Sequence, residues 1–100
     1  MTFEEHVRRA LDSLPPEIAR QLENVAVVVE DEHPAEPDLL GLFEGGGDYM
    51  PDKVTIYRLP LEADFPDPAD LEREIRITVL HELGHYFGMD EDRLGELGYE

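Results

Sequence analysis

Residues Asp67–Gly88 read DPADLEREIRITVLHELGHYFG. This run decides the fold, because a helix start, a helix face and a helix stop follow one another in it. Asp67 suits the N-cap, Pro68 the first helical position, and Asp70 the electropositive first turn. Leu71, Ile75, Val79, Leu83 and Phe87 recur at i+4 spacing and form one inner row. Ile77, Leu80 and Gly84 widen the apolar arc. Glu74, Thr78, His81 and His85 share the remaining sector. The pattern predicts a long central helix to about Phe87, with Gly88 stopping it in a left-handed conformation.

Within this helix lies His81-Glu82-Leu83-Gly84-His85, an H-E-x-x-H run. Residues four apart share a helix face, so both imidazoles can reach one ion. Catalytic zinc takes three protein ligands, with His nitrogen at about 2.0–2.1 Å, and keeps one position for water. Glu82 lies about 100° around the helix from His81. That places it beside the ligands, where it can accept a proton from water whose pKa the metal lowers toward about 7. The spacing therefore marks His81 and His85 as metal ligands and Glu82 as general base. Packing or surface hydrogen bonding is the plainer use of two such histidines.

The run continues as His81-Glu-x-x-His85-x-x-Gly88-x-x-Glu91. In the long form of the motif, a glycine turn brings the last residue back to the metal. Glu91 holds that place, and a carboxylate oxygen is an acceptable zinc ligand. Asp90 and Asp92 flank it, so a shift of one residue would exchange them, and water is a further alternative. The set suits zinc, although Fe(II), Co(II) or Ni(II) occupy similar ligands.

Outward from the helix, Thr2-Phe3-Glu4-Glu5 has the form of a capping box, and Phe3, Val7, Ala10 and Leu11 predict a helix to about Ser13. Pro15 and Pro16 suit the start of a second short helix holding Ile18, Ala19 and Leu22 inside. Val25–Val29 is β-branched and apolar and is expected to be a central strand covered on both faces. A loop follows to Asp38, then a short strand within Leu39–Glu44. Gly45-Gly46-Gly47 opens a loop ending near Pro51, with no Lys-Ser/Thr after it to make a phosphate loop. Lys53–Leu59 alternates and is expected to be a third strand, at an exposed edge where an extended peptide could pair. Pro60–Pro68 reads as irregular. Asp90 can cap a final short helix with Leu94 and Leu97 inside. Helices at both ends of a small sheet of about three strands give an α+β class, as one domain over residues 1–100.

The charge excludes some functions. The chain carries 8 Lys and Arg against 25 Asp and Glu, a net −17. Such a surface repels phosphate backbones, so nucleic acid is not an expected partner. There is no cysteine, which removes disulfides, thiolate ligands and thiol nucleophiles. No apolar run approaches the roughly 20 residues needed to span a bilayer, and MTFEEHVRRAL lacks a signal-peptide core. A cytoplasmic monomer is the expectation.

VLHELGHYFGMDEDRLGELG at Val79–Gly98, LLGLFEG at Leu39–Gly45 and DKVTIYRLPLE at Asp52–Glu62 resemble the minimal zincins, small bacterial proteins of zinc-metallopeptidase type. The resemblance implies a compact sheet, an active-site helix bearing His81 and His85, and a cleft between helix and sheet. It also implies an acidic residue after the glycine. The group has Asp there, whereas this chain has Glu91 between two Asp. The Met-turn of larger metzincins is absent. The distant helical Glu of gluzincins has no counterpart unless Glu96 or Glu100 substitutes.

Tyr49, Tyr57 and Tyr99 could each donate to an oxyanion. His6 and His33 are expected to be exposed, His33 with an outer-ligand role open to it. Ser13 has no His and Asp constellation for a serine hydrolase. Two functions fit: a zinc peptidase acting on peptides or proteins, or a zincin scaffold kept as a metal- or partner-binding module. The sequence names no substrate.

Overall fold

The computed structural model describes residues 1–86, with side chains through Gly84. Among these residues four helices and a three-stranded mixed sheet follow the order α1, α2, β1, β2, β3, α3, α4. Phe87, Gly88 and the expected short last helix lie outside them.

Helix α1 (Phe3–Asp12) starts where the capping box places it, with the Thr2 hydroxyl accepting from the Glu5 N–H at 3.2 Å. Helix α2 (Pro16–Leu22) carries its proline in the first turn, where a missing N–H costs nothing. The long helix α4 (Pro68–Tyr86) is capped by Asp67, whose Oδ1 accepts from the N–H groups of Ala69 and Asp70 at 2.9 and 3.3 Å. Its inner row, Leu71, Ile75, Val79 and Leu83, is buried, as is Leu80. At about 1.5–3 kcal/mol per buried side chain, this row anchors the helix on the sheet.

The sheet corrects two expectations. β1 (Val25–Glu30) pairs parallel with β3 (Asp52–Tyr57), and β2 (Gly41–Glu44) pairs antiparallel with β3, giving the order β1-β3-β2. The valine run is thus an edge strand. Only alternate residues, Val25, Val27 and Val29, pack against the core, and none of the run is fully buried. A β-branched run specifies a strand but not its neighbours. The strand expected at an exposed edge is the central one, with Val54 to Tyr57 buried. Its alternation reflects two different coverings, not a wet face.

The third correction concerns Arg58–Asp64, which forms helix α3 where the end of the third strand and then irregular chain were expected. Pro60 sits in its first turn, so it breaks no intrahelical bond. Arg58 ties this turn down. Its guanidinium donates to Asp31 Oδ1 at 2.9 and 3.2 Å and to Glu62 Oε1 at 2.7 Å, and the Leu59 N–H donates to the Asp31 carbonyl. These contacts carry the chain directly from β3 into a helix.

His6 is a fourth correction. It is buried, and its Nδ1–H donates to Glu72 Oε1 at 2.7 Å, while Arg9 Nε lies 3.3 Å from the same oxygen. The imidazole therefore joins α1 to α4. A polar residue on an inner helix face needs such a partner, and that partner is 66 residues away.

Gly41 sets the approach of α4 to the sheet. A β-carbon there would stand 2.5 Å from Thr78 Cγ2, 3.3 Å from the Thr55 carbonyl oxygen and 3.8 Å from Glu82 Cγ. Thr78 is β-branched and stiff, so it cannot swing aside at little cost. Replacement of Gly41 by Ala is expected to cost about 1–3 kcal/mol. Urea unfolding should show this as a lower midpoint with an unchanged slope.

Candidate active site

Glu82 lies on α4 one helical turn beyond Thr78. Gly41 faces both residues, and Phe43, two residues along β2, meets Glu82 through its backbone. Four helical residues advance about 6 Å and two strand residues about 6.6–6.8 Å. Strand β2 and helix α4 therefore run side by side in the same direction, nearly in step. In the antiparallel pairing with β3, the Tyr57 N–H donates to the Leu40 carbonyl. Residues alternate in the direction of their backbone groups, so those of Gly41 and Phe43 point away from β3. The Phe43 N–H uses that outward direction to donate to Glu82 Oε2 at 3.1 Å. A half-buried carboxylate thus gains a donor that cannot titrate.

Between β2 and α4 lies a cleft of about 370 Å³, lined by Asp38, Leu39, Leu40, Gly41, Glu74, Ile77, Thr78, His81 and Glu82. His81 and Glu82 are both half-buried. The sector of α4 that faces this cleft holds Glu74, Thr78 and His81, as the helical wheel requires, with Ile77 and Glu82 at its borders. The structure brings His81 and Glu82 together on one wall. The backbone of His85 continues the same helix one turn on. Its side chain and Glu91, Asp90 and Asp92 lie outside the described residues. Within the described residues no three His, Asp or Glu side chains gather in ligating positions.

The donor chemistry fits a borderline metal ion. His81 presents imidazole nitrogen to a cleft whose nearest charges are carboxylates, and both are ligand types zinc accepts. His6 and His33 do not contribute. His6 is engaged with Glu72. The Nδ1 of His33 accepts from the Ala35 and Glu36 N–H groups, both at 3.1 Å, and its ring stands edge-on to Tyr57 at 5.8 Å between centroids. An outer-ligand role for His33 finds no support in this arrangement.

Among the candidate oxyanion donors, Tyr57 is buried beside His33 and does not line the cleft. Burial, and then the carboxylates of Glu30, Glu44 and Glu36, hold its phenol above the ordinary pKa, so it stays protonated at neutral pH. Tyr49 is almost wholly exposed on the loop after β2. Tyr99 lies outside the described residues. In that loop the Gly46 N–H donates to Asp52 Oδ1 at 3.1 Å, and Gly47 adopts φ +76°, a region glycine enters without strain. The loop closes on itself and does not line the cleft.

An extended peptide cannot pair along β3, since both its sides are occupied. Strand β2 supplies the edge that borders the cleft. The sequence reading missed Phe43 because its contribution is a backbone N–H, which no side-chain pattern encodes. It missed Asp38 as well. Glu74 and Thr78 did fall in the His81 sector of the wheel.

No helix of the described residues is long and apolar enough to cross a membrane. The sequence model of the zincin-like metallopeptidase family matches residues 22–99. No curated protein matches the chain.

The Phe43–Glu82 bond can be checked directly. The Phe43 amide points away from β3 and is expected to exchange several-fold faster with solvent deuterium in Glu82→Ala than in the parent protein. Nitrogen-resolved NMR reads this residue by residue, and the Val54 and Ile56 amides serve as internal controls.

Proposed function

The chain belongs to the zincin-like metallopeptidase family, and from that premise we propose that it is a zinc-dependent peptidase with Glu82 as general base and His81, His85 and Glu91 as metal ligands. One observation carries the proposal. His81 and Glu82 line one wall of the cleft, and the Glu82 carboxylate is fixed by the Phe43 N–H of the bordering edge strand.

Zinc, when bound, polarises a peptide carbonyl and lowers the pKa of water toward about 7. The remaining work falls to the chain. With Oε2 held by Phe43 N–H, Oε1 of Glu82 is left to accept a proton from the attacking water. Glu82 then returns that proton to the amide nitrogen as the carbon–nitrogen bond breaks, so the nitrogen leaves as an amine. An extended peptide adds to the outer edge of β2 as a further antiparallel strand, the more stable pairing, through the Gly41 backbone rather than the Phe43 N–H that Glu82 already holds. The tight approach at Gly41 keeps α4 close enough for Glu82 to reach a peptide bond held there.

Replacement of Glu82 by Gln is expected to lower peptide hydrolysis by at least about 10²-fold while leaving one zinc per chain. His81→Ala is expected to lose the zinc. Metal analysis after dialysis and a mass-spectrometric assay on a diverse peptide pool measure both. Equal turnover in Glu82→Gln would defeat the assignment of the base. Bound zinc with no chelator-sensitive cleavage anywhere in the pool would favour a non-enzymatic metal-binding module.

A further inference from the structure

The end of the cleft upstream of His81 has features that general base and metal ligands do not use. Asp38, Leu39 and Leu40 border it from the strand side, and Glu74, Ile77 and Thr78 from the helix side. Leu39, Leu40 and Ile77 give it apolar walls, and the Thr78 methyl closes against Gly41 at its floor. Thr78 is more than nine-tenths buried, yet its hydroxyl makes no hydrogen bond within the described residues. Its hydroxyl oxygen is nevertheless not sealed from solvent, so it opens on the cleft and can meet a water or a ligand group. Glu74 is half-buried and Asp38 exposed, and neither forms an ion pair within the described residues. By contrast, Glu82 is already engaged by Phe43.

Resting on the peptidase reading, we propose that this end of the cleft is a side-chain pocket for lysine or arginine of the substrate. Its apolar walls take the aliphatic stem. Asp38 and Glu74 receive the cationic head, with the Thr78 hydroxyl as a further acceptor. Anionic side chains are repelled by the same carboxylates, and a purely aliphatic side chain leaves them without a counter-ion.

The geometry also fixes which side of the cleaved bond the basic residue occupies. Strand β2 and helix α4 both run from this pocket toward His81 and Glu82. A peptide pairing antiparallel to β2 runs the other way. Its residues over Asp38 and Glu74 therefore lie on the carboxyl-terminal side of the bond that Glu82 serves. The basic residue belongs to the leaving amine fragment.

The test uses zinc-loaded protein and an equimolar pool of alanine-based peptides, each with one Lys, Arg, Gln, Leu or Glu at successive positions, with cleavage points mapped by mass spectrometry. The same peptides are titrated into zinc-loaded Glu82→Gln, so that binding is read without turnover. Cleavage on the amino side of Lys or Arg is expected, favoured about tenfold or more over Gln and Glu, as one charge-assisted hydrogen bond allows. In Glu74→Gln and Asp38→Asn that preference should fall toward parity, in cleavage and in binding alike. Cleavage with no basic preference, or with one that neither variant moves, overturns the pocket and leaves the peptidase standing. A basic preference on the amino-terminal side of the bond overturns the assigned direction and with it the pocket. Absence of cleavage, with Lys peptides still bound more tightly and sensitive to both substitutions, upholds the pocket and removes the peptidase. Failure of every peptide to bind overturns the proposal.

Discussion

The site depends on one close approach: Gly41 of the edge strand against Thr78 of the long helix. Any side chain at position 41 would have to occupy space already held by the Thr78 methyl. Glycine allows α4 to lie against the strand at a separation that brings a helix carboxylate within hydrogen-bonding distance of a strand N–H. The result is the bond from Phe43 to Glu82. Packing on both sides holds this separation. The buried row Leu71, Ile75, Val79 and Leu83 presses α4 onto the sheet, while His6, Glu72 and Arg9 fasten its first half to α1. A rigid framework of this kind keeps a side chain oriented more reliably than a loop does.

The strand order completes the arrangement. With β3 at the centre, its backbone groups are used on both sides and its residues can be buried. Strand β2 is then left as an edge beside the cleft. The same central strand turns directly into α3, and Arg58 holds that turn against Asp31. Topology, rather than the chemistry of any one strand, thus selects the surface available to a substrate backbone.

The degree to which these features can be read from sequence follows from the range of the interactions. The long helix is legible because its cap, apolar row and H-E-x-x-H run are all local. The spacing of His81, Thr78 and Glu74 even identifies the face that meets the cleft. The strand order is not legible, because a run such as Val25–Val29 favours extended chain without naming its neighbour. Helix α3 is hidden by prolines at 60 and 66, which read as breaks although the first turn of a helix accepts one. The burial of His6 turns on Glu72, and the anchoring of Glu82 on a backbone donor. Neither leaves a trace in periodicity. The expected third ligand falls after Gly88, outside the described residues, and in the sequence a shift of one residue exchanges Asp90, Glu91 and Asp92.

The acidic composition can now be divided by role. Asp67 caps α4, Glu4 and Glu5 occupy the first turn of α1, and Asp52 receives the Gly46 N–H. Glu72, Asp31 and Glu62 hold His6, Arg9 and Arg58 in place. These carboxylates have structural work whatever the function. With 8 basic residues against 25 acidic ones, most of the others cannot be paired internally, and exposed ones cost little because water screens them. Asp38 and Glu74 are in a different position. They border a cleft with apolar walls, where the half-buried Glu74 is screened by water less than the exposed Asp38 and its field reaches further. A cation entering there gains more than one meeting the same charges on an open face. Of the carboxylates outside those structural roles, Asp38 and Glu74 line the cleft beside His81 and Glu82, and the proposed pocket for a basic side chain rests on that placement.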